Sequence, residues 1–163
     1  MAALTPLDPR VIPLDRAIGG ILAAVVSAGS FVALVLTLLV ADAWPWWVGI
    51  LLFAAWFAGS IVFALWLQIW PAIEYRHASY GVDEVGLEIR RGVWWRHVIH
   101  VPRTRVQHTD VSQGPLERHW GLGTLVVFTA GTDHARVELR GLAHEVAVTL
   151  RDQLLPGRES DAV

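Results

Sequence analysis

The sequence of 163 residues contains no cysteine and no lysine, and only 17% of its residues are charged, against about 25% in an average soluble protein. Without cysteine the chain can form neither a disulfide scaffold nor a thiolate metal site, and it has no cysteine nucleophile. The net charge of −2 argues against a general nucleic-acid-binding protein, which would carry a basic excess. We therefore expect no nucleic-acid partner, and no motif indicates a cofactor.

Two stretches of the chain, 17–41 and 43–73, contain no charged residue at all. Each includes an apolar segment of 23 residues, at 18–40 and at 47–69. At about 1.5 Å per residue such a helix is roughly 35 Å long, enough to cross a hydrocarbon core of about 30 Å. Both segments are longer than the apolar region of a signal peptide, which has about 7–15 residues. We predict a transmembrane helical hairpin over 17–73, preceded by an N-terminal arm over 1–16.

Small residues recur four positions apart on both predicted spans, a spacing that permits close contact between helices. The helix-packing candidates are Gly20, Ala24 and Ala28 on the first span and Ala55 and Gly59 on the second. Neither span contains an ionisable residue, which a proton or ion pathway would need. The hairpin is therefore interpreted as an anchor and a packing surface.

The arginines close to the spans indicate an orientation. Arg10 and Arg16 precede the first span and Arg76 follows the second, whereas the short link between the spans has no basic residue. By the positive-inside rule, both termini are expected in the cytoplasm.

From residue 74 the sequence is more polar and alternates with a period near two, which is typical of β-strands. We predict strands over 93–101, 104–111 and 121–130, a loop at 112–115 and a turn at 131–133. An apolar residue at every fourth position predicts a C-terminal amphipathic helix, through Leu142, Val146, Leu150 and Leu154. The polar domain is assigned to 74–156, and the tail 157–163 is expected to be disordered. The predicted fold class is α+β.

Four blocks in the polar half resemble one known family. They are GLEIRRG at 86–92, VPRTRVQ at 101–107, QGPLER at 113–118 and GLGTL at 121–125. The pattern is similar to the membrane-anchored branch of the bacterial pleckstrin-homology (PH) family, formerly a domain of unknown function, as in the small YdbS-like proteins with two spans before the domain. This resemblance covers about 18–155. It implies a PH-like antiparallel β-barrel or sandwich capped by a C-terminal helix, a location in the bacterial inner membrane, and no established catalytic residues.

An enzymatic or metal site has little support in the sequence. His97, His100 and His108 are metal ligands by type, but residues 97 and 100 of one strand point to opposite faces. No phosphate-binding loop and no serine nucleophile motif is complete. We expect no catalytic and no metal-binding residue.

The predicted first hairpin of the polar half is the candidate lipid-binding site. Its residues are Arg90, Arg91, Trp94, Trp95 and Arg96. Arginine suits phosphate oxygens, and tryptophan is enriched at the headgroup level of membranes. Two alternatives stay open: the arginines could be solvated or salt-bridged, and the tryptophans could pack in a core or an interface.

The block 114–120 is the candidate protein-interaction site, placed in a predicted loop. Its candidates are Pro115, Leu116, Arg118 and Trp120, because tryptophan and arginine are enriched at binding hot spots; core packing of Trp120 is the alternative. We expect a non-catalytic interaction or scaffold subunit, in a homo-oligomer or with a larger PH-family membrane protein. The alternative function is a sensor of anionic lipid headgroups, with membrane lipid as the partner.

Overall fold

Two long apolar helices and seven short strands make up most of the computed structural model, which describes residues 4–40, 44–130 and 136–154. The chain divides into two units, one of Asp15–Ala72 and one that combines Met1–Leu14 with Ile73–Val163. The predicted turn 131–133 and the predicted disordered tail 157–163 lie outside the described residues, as do residues 41–43 of the link between the spans.

The helices α1 (Val11–Val40) and α2 (Trp46–Arg76) include the two predicted spans and extend beyond them. Both are long and apolar enough to cross a membrane. Their large apolar side chains are mostly exposed, and no described residue of α2 is buried within the protein. A helix that is apolar on all sides but not covered by protein is typical of a membrane span.

Within the first unit, α1 and α2 run antiparallel, because Gly19 lies beside Leu67 and Gly49 lies beside Leu38. A Cβ atom at Gly19 would lie 3.2 Å from the carbonyl oxygen of Leu67, so the missing side chain lets the two backbones approach each other. Midway along the helices, the indole Nε1 of Trp56 donates a hydrogen bond of 3.0 Å to Ser30 Oγ.

Two reciprocal hydrogen bonds join the same helices near the start of α1. Arg16 Nε donates to the carbonyl oxygen of Gln68 at 2.9 Å, and Gln68 Nε2 donates to the carbonyl oxygen of Arg16 at 3.2 Å. Together with the bond to Ser30, they fix the register of one helix along the other.

The second unit contains two antiparallel sheets. In the first, β1 (Thr5–Pro6), β2 (Ser79–Val82), β3 (Gly86–Arg91) and β4 (His97–Pro102) are neighbours in that order. In the second, β5 (Val106–Ser112), β6 (Leu122–Thr129) and β7 (Arg136–Ala143) are neighbours. A short helix, α3 (Pro115–Trp120), connects β5 to β6, and α4 (His144–Leu154) follows β7.

The core of this unit lies between the two sheets and α4. Alternate residues of β3, Leu87 and Ile89, point inward together with Val127 of β6. Helix α4 adds Ala147, Leu150 and Leu154. Of the periodic series predicted from sequence, Leu150 and Leu154 are buried on this helix and Val146 is exposed. The prediction is wrong for Leu142, which is buried on β7, because the helix begins only at His144. The α+β fold class is confirmed in its sandwich form, since the sheets do not join into a closed barrel within the described residues.

The N-terminal segment packs on the polar domain rather than standing apart from it. β1 pairs with β2 through Thr5 and Tyr80, and Leu7 packs against the core. The backbone N–H of Asp8 donates to the carbonyl oxygen of Gly141 at 2.8 Å. Residues 4–14 therefore contribute a strand and an apolar side chain to a domain whose other elements begin more than sixty residues later.

Candidate functional site

A tight turn, Gly92–Arg96, joins β3 to β4. It carries three of the five predicted lipid-binding residues, Trp94, Trp95 and Arg96, whereas Arg90 and Arg91 are the last residues of β3. The prediction of a strand from residue 93 is wrong at its start, because β4 begins only at His97. Gly92 explains the difference: its φ of +113° lies in the region that favours glycine, and a Cβ there would overlap the carbonyl oxygen of Trp95. The chain therefore closes a short loop at the point where the apolar sequence suggested a longer strand.

Both tryptophans of this turn point away from the core. Trp94 is 82% exposed and Trp95 is 81% exposed, the highest values among the tryptophans of the polar domain. Val98, the second residue of β4 and the cross-strand partner of Arg90, is also exposed. Packing in the domain's own core, which the sequence left open, is thus excluded for this pair.

The three arginines of the candidate site differ in their surroundings. Arg90 Nε donates to Glu88 Oε1 at 2.6 Å, so this arginine already has a carboxylate partner. Arg91 and Arg96 are exposed, and no ion pair involves either of them within the described residues. Only Arg91 and Arg96 therefore leave their positive charges available to an external anion.

The position of the turn in the sheet follows from the strand register. β2 begins at Ser79, soon after α2 ends at Arg76, and Ser79 pairs with Arg90 of β3. Because the chain reaches the turn directly after Arg91, the tryptophans lie at the end of the sheet where the chain enters from α2.

The predicted protein-interaction residues lie on a helix and not in a loop. α3 begins with Pro115, and the carboxylate of Glu117 accepts hydrogen bonds from the Gly114 N–H at 2.7 Å and from Thr124 Oγ1 at 2.8 Å. Gly121, with φ +66°, ends the helix. Proline in the first turn, glutamate two residues later and glycine just past the end are the sequence signals that predict such a helix.

On α3, the side chains of Pro115, Leu116 and Arg118 are exposed, with Leu116 at 44%. Trp120 is half-buried, and its ring lies edge-on to His119 with centroids 5.8 Å apart. Three of the four predicted residues thus form a surface, whereas Trp120 also packs against the protein. The two candidate sites are on separate elements.

The predicted helix-packing residues lie mostly away from the contact between α1 and α2. Gly20 is partly covered, and a Cβ there would lie 3.6 Å from Gln68 Nε2. Ala24, Ala28, Ala55 and Gly59 are exposed. Within the hairpin the closer approach occurs at Gly19 and Ala23, one position earlier than predicted. Any close helix contact through the exposed four would be made with a helix outside this hairpin.

An ion pair in the N-terminal segment was not identified from the sequence. Arg10 Nη2 lies 2.8 Å from Asp8 Oδ2, and Arg10 Nη1 donates to the carbonyl oxygen of Trp120 at 3.4 Å, at the end of α3. The hydrogen bond from Arg10 lowers the pKa of Asp8 from its ordinary value, and the same bond raises the pKa of Arg10. The only sequence signal was an Asp and an Arg two residues apart, which is common on any surface.

The histidines considered as metal ligands are dispersed. His97 and His100 lie on β4, opposite Arg91 and Glu88, whereas His108 lies on β5, opposite Phe128. Among the described residues, no group of three or more His, Asp or Glu side chains could hold a metal ion.

Comparison with known proteins adds the following findings. A family model described as the bacterial PH domain matches residues 14–158. The chain is 35% identical over 111 residues to the UPF0699 transmembrane protein YdbS of Bacillus subtilis (strain 168), an alignment that covers 68% of this chain and 66% of that protein. The chain thus spans just under two thirds of the length of this relative. No solved structure matches the chain.

Proposed function

Since the chain belongs to the bacterial PH-domain family and is a membrane protein, we propose that it is a non-catalytic scaffold subunit at the cytoplasmic face of the bacterial inner membrane. The two spans hold the PH-like domain beside the bilayer, and the domain surface binds another membrane protein. The partner is a second copy of this chain or a larger membrane protein of the same family.

The observation that carries this proposal is the surface of α3. Pro115, Leu116 and Arg118 are exposed on a helix whose position is fixed by the hydrogen bonds of Glu117. A rigid apolar and cationic surface loses little conformational entropy on binding. It fits a partner that offers an apolar depression next to a carboxylate.

The proposed orientation is supported by the distribution of arginine. Arg10, Arg16 and Arg76 flank the spans on the side of the two termini, and the sequence between the spans has none. The positive-inside rule places that side in the cytoplasm.

A crosslinking experiment in intact membranes tests the α3 surface. A photoreactive amino acid replaces Leu116 in one full-length variant and Val146 in a control variant, because Val146 is an exposed apolar residue on α4. We expect a crosslinked product of one defined mass from position 116 and none from position 146. The mass of the chain in native lipid nanodiscs then tells a second copy from another protein. A lone chain in nanodiscs that gives no product from position 116 overturns the scaffold proposal.

A second candidate function, contact with anionic lipid, is supported by a separate observation, the exposed tryptophans of the turn between β3 and β4.

A further inference from the structure

We infer that the turn Gly92–Arg96 is a membrane-docking element that places Trp94 and Trp95 in the headgroup region of the bilayer spanned by α1 and α2. Arg91 and Arg96 then face the phosphates of anionic lipids. The inference rests on the part of the proposed function that holds the domain at a membrane, and it depends neither on the α3 partner nor on the side of the membrane.

Strand topology places the turn at the end of the sheet to which α1 and α2 are connected. Ser79, the first residue of β2, is separated from the end of α2 by only two residues, and it pairs with Arg90. Ser79 also pairs with Pro6 of β1, from which the chain continues into α1 at Val11. Both connections to the spans and the tryptophan turn therefore lie at the same end of one sheet.

The distances along the chain agree with this placement. The predicted second span ends at Ile69, and the helical residues from 70 to 76 extend it by about 10 Å at roughly 1.5 Å per residue. The headgroup layer on each side of a bilayer is about 5–8 Å thick. Trp94 is four residues beyond Arg90, a reach of at most about 13 Å. The connections are thus short enough for the indoles to reach the headgroups while the domain stays folded.

The chemistry of the turn matches the headgroup region and not the hydrocarbon core. Indole has a large apolar ring and one N–H donor, and it concentrates at the boundary between lipid and water. Arg91 and Arg96 flank the tryptophans and have no ion pair within the described residues. Arg90 is held by Glu88 and is therefore not part of the docking element. The expected ligand is the anionic surface of a bilayer as a whole, because a headgroup pocket would require enclosing side chains, whereas Trp94 and Trp95 project outward.

The absence of cysteine allows a direct measurement of depth. Single-cysteine variants of the full-length chain, Trp95→Cys and Val85→Cys, carry a nitroxide label in vesicles of phosphatidylethanolamine and phosphatidylglycerol at a ratio of three to one. Val85 is the matched control, because it is an exposed apolar residue in the turn between β2 and β3, at the opposite end of the sheet. Collision rates with oxygen, which concentrates in lipid, and with a water-soluble nickel chelate report the depth of each label. Trp94→Cys repeats the measurement from the neighbouring position.

We expect the ratio of oxygen to nickel-chelate collisions at position 95 to exceed that at position 85 several-fold. Equal, water-like ratios at the two positions overturn the inference. Protection of position 95 from both reagents, at one chain per vesicle and equally in detergent, assigns the turn to a protein contact and also overturns it. Either result leaves the crosslinking test at position 116 unaffected, so the failure of this inference is distinguishable from failure of the scaffold proposal.

Charge reversal tests the contribution of Arg91 and Arg96 to docking on anionic lipid. In a chain labelled at His97→Cys, the added changes Arg91→Glu and Arg96→Glu are expected to move the label towards water in anionic vesicles, and much less in vesicles of phosphatidylcholine alone. The control removes the whole ion pair, with Glu88→Gln and Arg90→Gln together. It should have little effect, because Arg90 and Glu88 neutralise each other and their joint removal leaves the net charge unchanged. A response to the control as large as that to the two reversals, or no response to the reversals in anionic vesicles, would contradict the assignment of Arg91 and Arg96.

Discussion

Asp8 and Arg10 form an ion pair that connects the N-terminal segment to β7 and to α3. The backbone of Asp8 bonds to β7, its carboxylate binds the guanidinium of Arg10, and Arg10 reaches the last carbonyl of α3. Asp8 is 16% exposed, whereas half of the Arg10 side chain remains in water. These contacts fix the residues that precede α1 against β7 and α3.

Substitution of Asp8 by Asn should lower the stability of the domain only slightly at neutral pH, because the Arg10 half of the ion pair is exposed and asparagine keeps an amide oxygen as acceptor. The pKa of Asp8 is lowered in the folded chain. Its stabilising effect is therefore present above the ordinary carboxyl pKa, about 3.9, and is lost as the pH falls through the lowered value. Thermal unfolding in detergent at pH 7 and at pH 3 measures the difference between native chain and variant, which should narrow at pH 3.

A double-mutant cycle with Arg10→Gln is the control for this prediction. If the pair acts as described, the double variant is little worse than either single variant at pH 7. Additive losses, or a difference that does not change with pH, would show that Asp8 stabilises the fold in some other way.

The sequence around Trp94 and Trp95 does not determine whether these two side chains are buried or exposed. Trp94 and Trp95 follow Gly92 and precede a run of apolar strand residues, a context that suits a core residue as well as an exposed one. Their direction depends on the backbone of Gly92, whose positive φ closes the loop before the strand begins. Residue type made the two tryptophans candidates for lipid contact, and the backbone conformation of the turn determines their exposure.

The hairpin is held together along its length by few polar groups. Trp56 donates to Ser30, while Ser30 itself donates to the carbonyl of Val26 at 2.8 Å. Aromatic rings surround this bond: those of Phe31 and Trp56 have centroids 5.0 Å apart. Within the hydrocarbon core no water is available to the indole N–H of Trp56. Loss of this bond would therefore leave the indole N–H unsatisfied, whereas the hydroxyl of Ser30 would keep its bond to Val26.

Substitution of Ser30 by Ala should destabilise the hairpin by about 0.5–1.5 kcal/mol, because it leaves the Trp56 N–H without its acceptor. Unfolding in mixed micelles with increasing dodecyl sulfate, followed by circular dichroism, measures the loss. Thr37→Val is the matched control, since within the described residues Thr37 Oγ1 donates to the carbonyl oxygen of Ala33 in its own helix, at 2.9 Å. Equal losses in the two variants would mean that the bond between the helices contributes nothing measurable.

The elements that could be predicted from the sequence are those with a long, regular hydrophobic pattern. The two charge-free segments became α1 and α2, and the family match confirmed the resemblance carried by the blocks at 86–125. Of the fourfold apolar series, the last three residues lie on α4, whereas Leu142 lies on β7. α3 was missed because six residues cannot show a helical period, although Pro115, Glu117 and Gly121 marked its ends. β1 has two residues and no pattern; its partner, β2, is seventy-five positions away at Tyr80.

As a whole molecule, the chain builds one domain from two separate segments, 4–14 and the described residues from 73 onward. The transmembrane hairpin is inserted between them. A domain of this kind cannot be delimited from composition. The polar sequence starts at Glu74, but Leu7 and Leu14 belong to the same domain. The α3 candidate site contacts both segments, since Arg10 of the first segment donates a hydrogen bond to the last residue of α3 in the second.

A soluble chain in which a flexible linker of about fifteen Gly and Ser residues replaces residues 15–72 should therefore fold, whereas residues 73–163 alone should be less stable by at least about 2 kcal/mol. The shorter chain lacks β1 and the apolar side chains of Leu7 and Leu14, and removing a buried leucine side chain costs about 2–5 kcal/mol. Thermal unfolding by circular dichroism compares the two chains, with the linked chain carrying Leu7→Ser as an intermediate control. If residues 73–163 unfold at the same temperature as the linked chain, the N-terminal segment is not part of the cooperative unit, and the PH-like domain folds independently of the sequence before the hairpin.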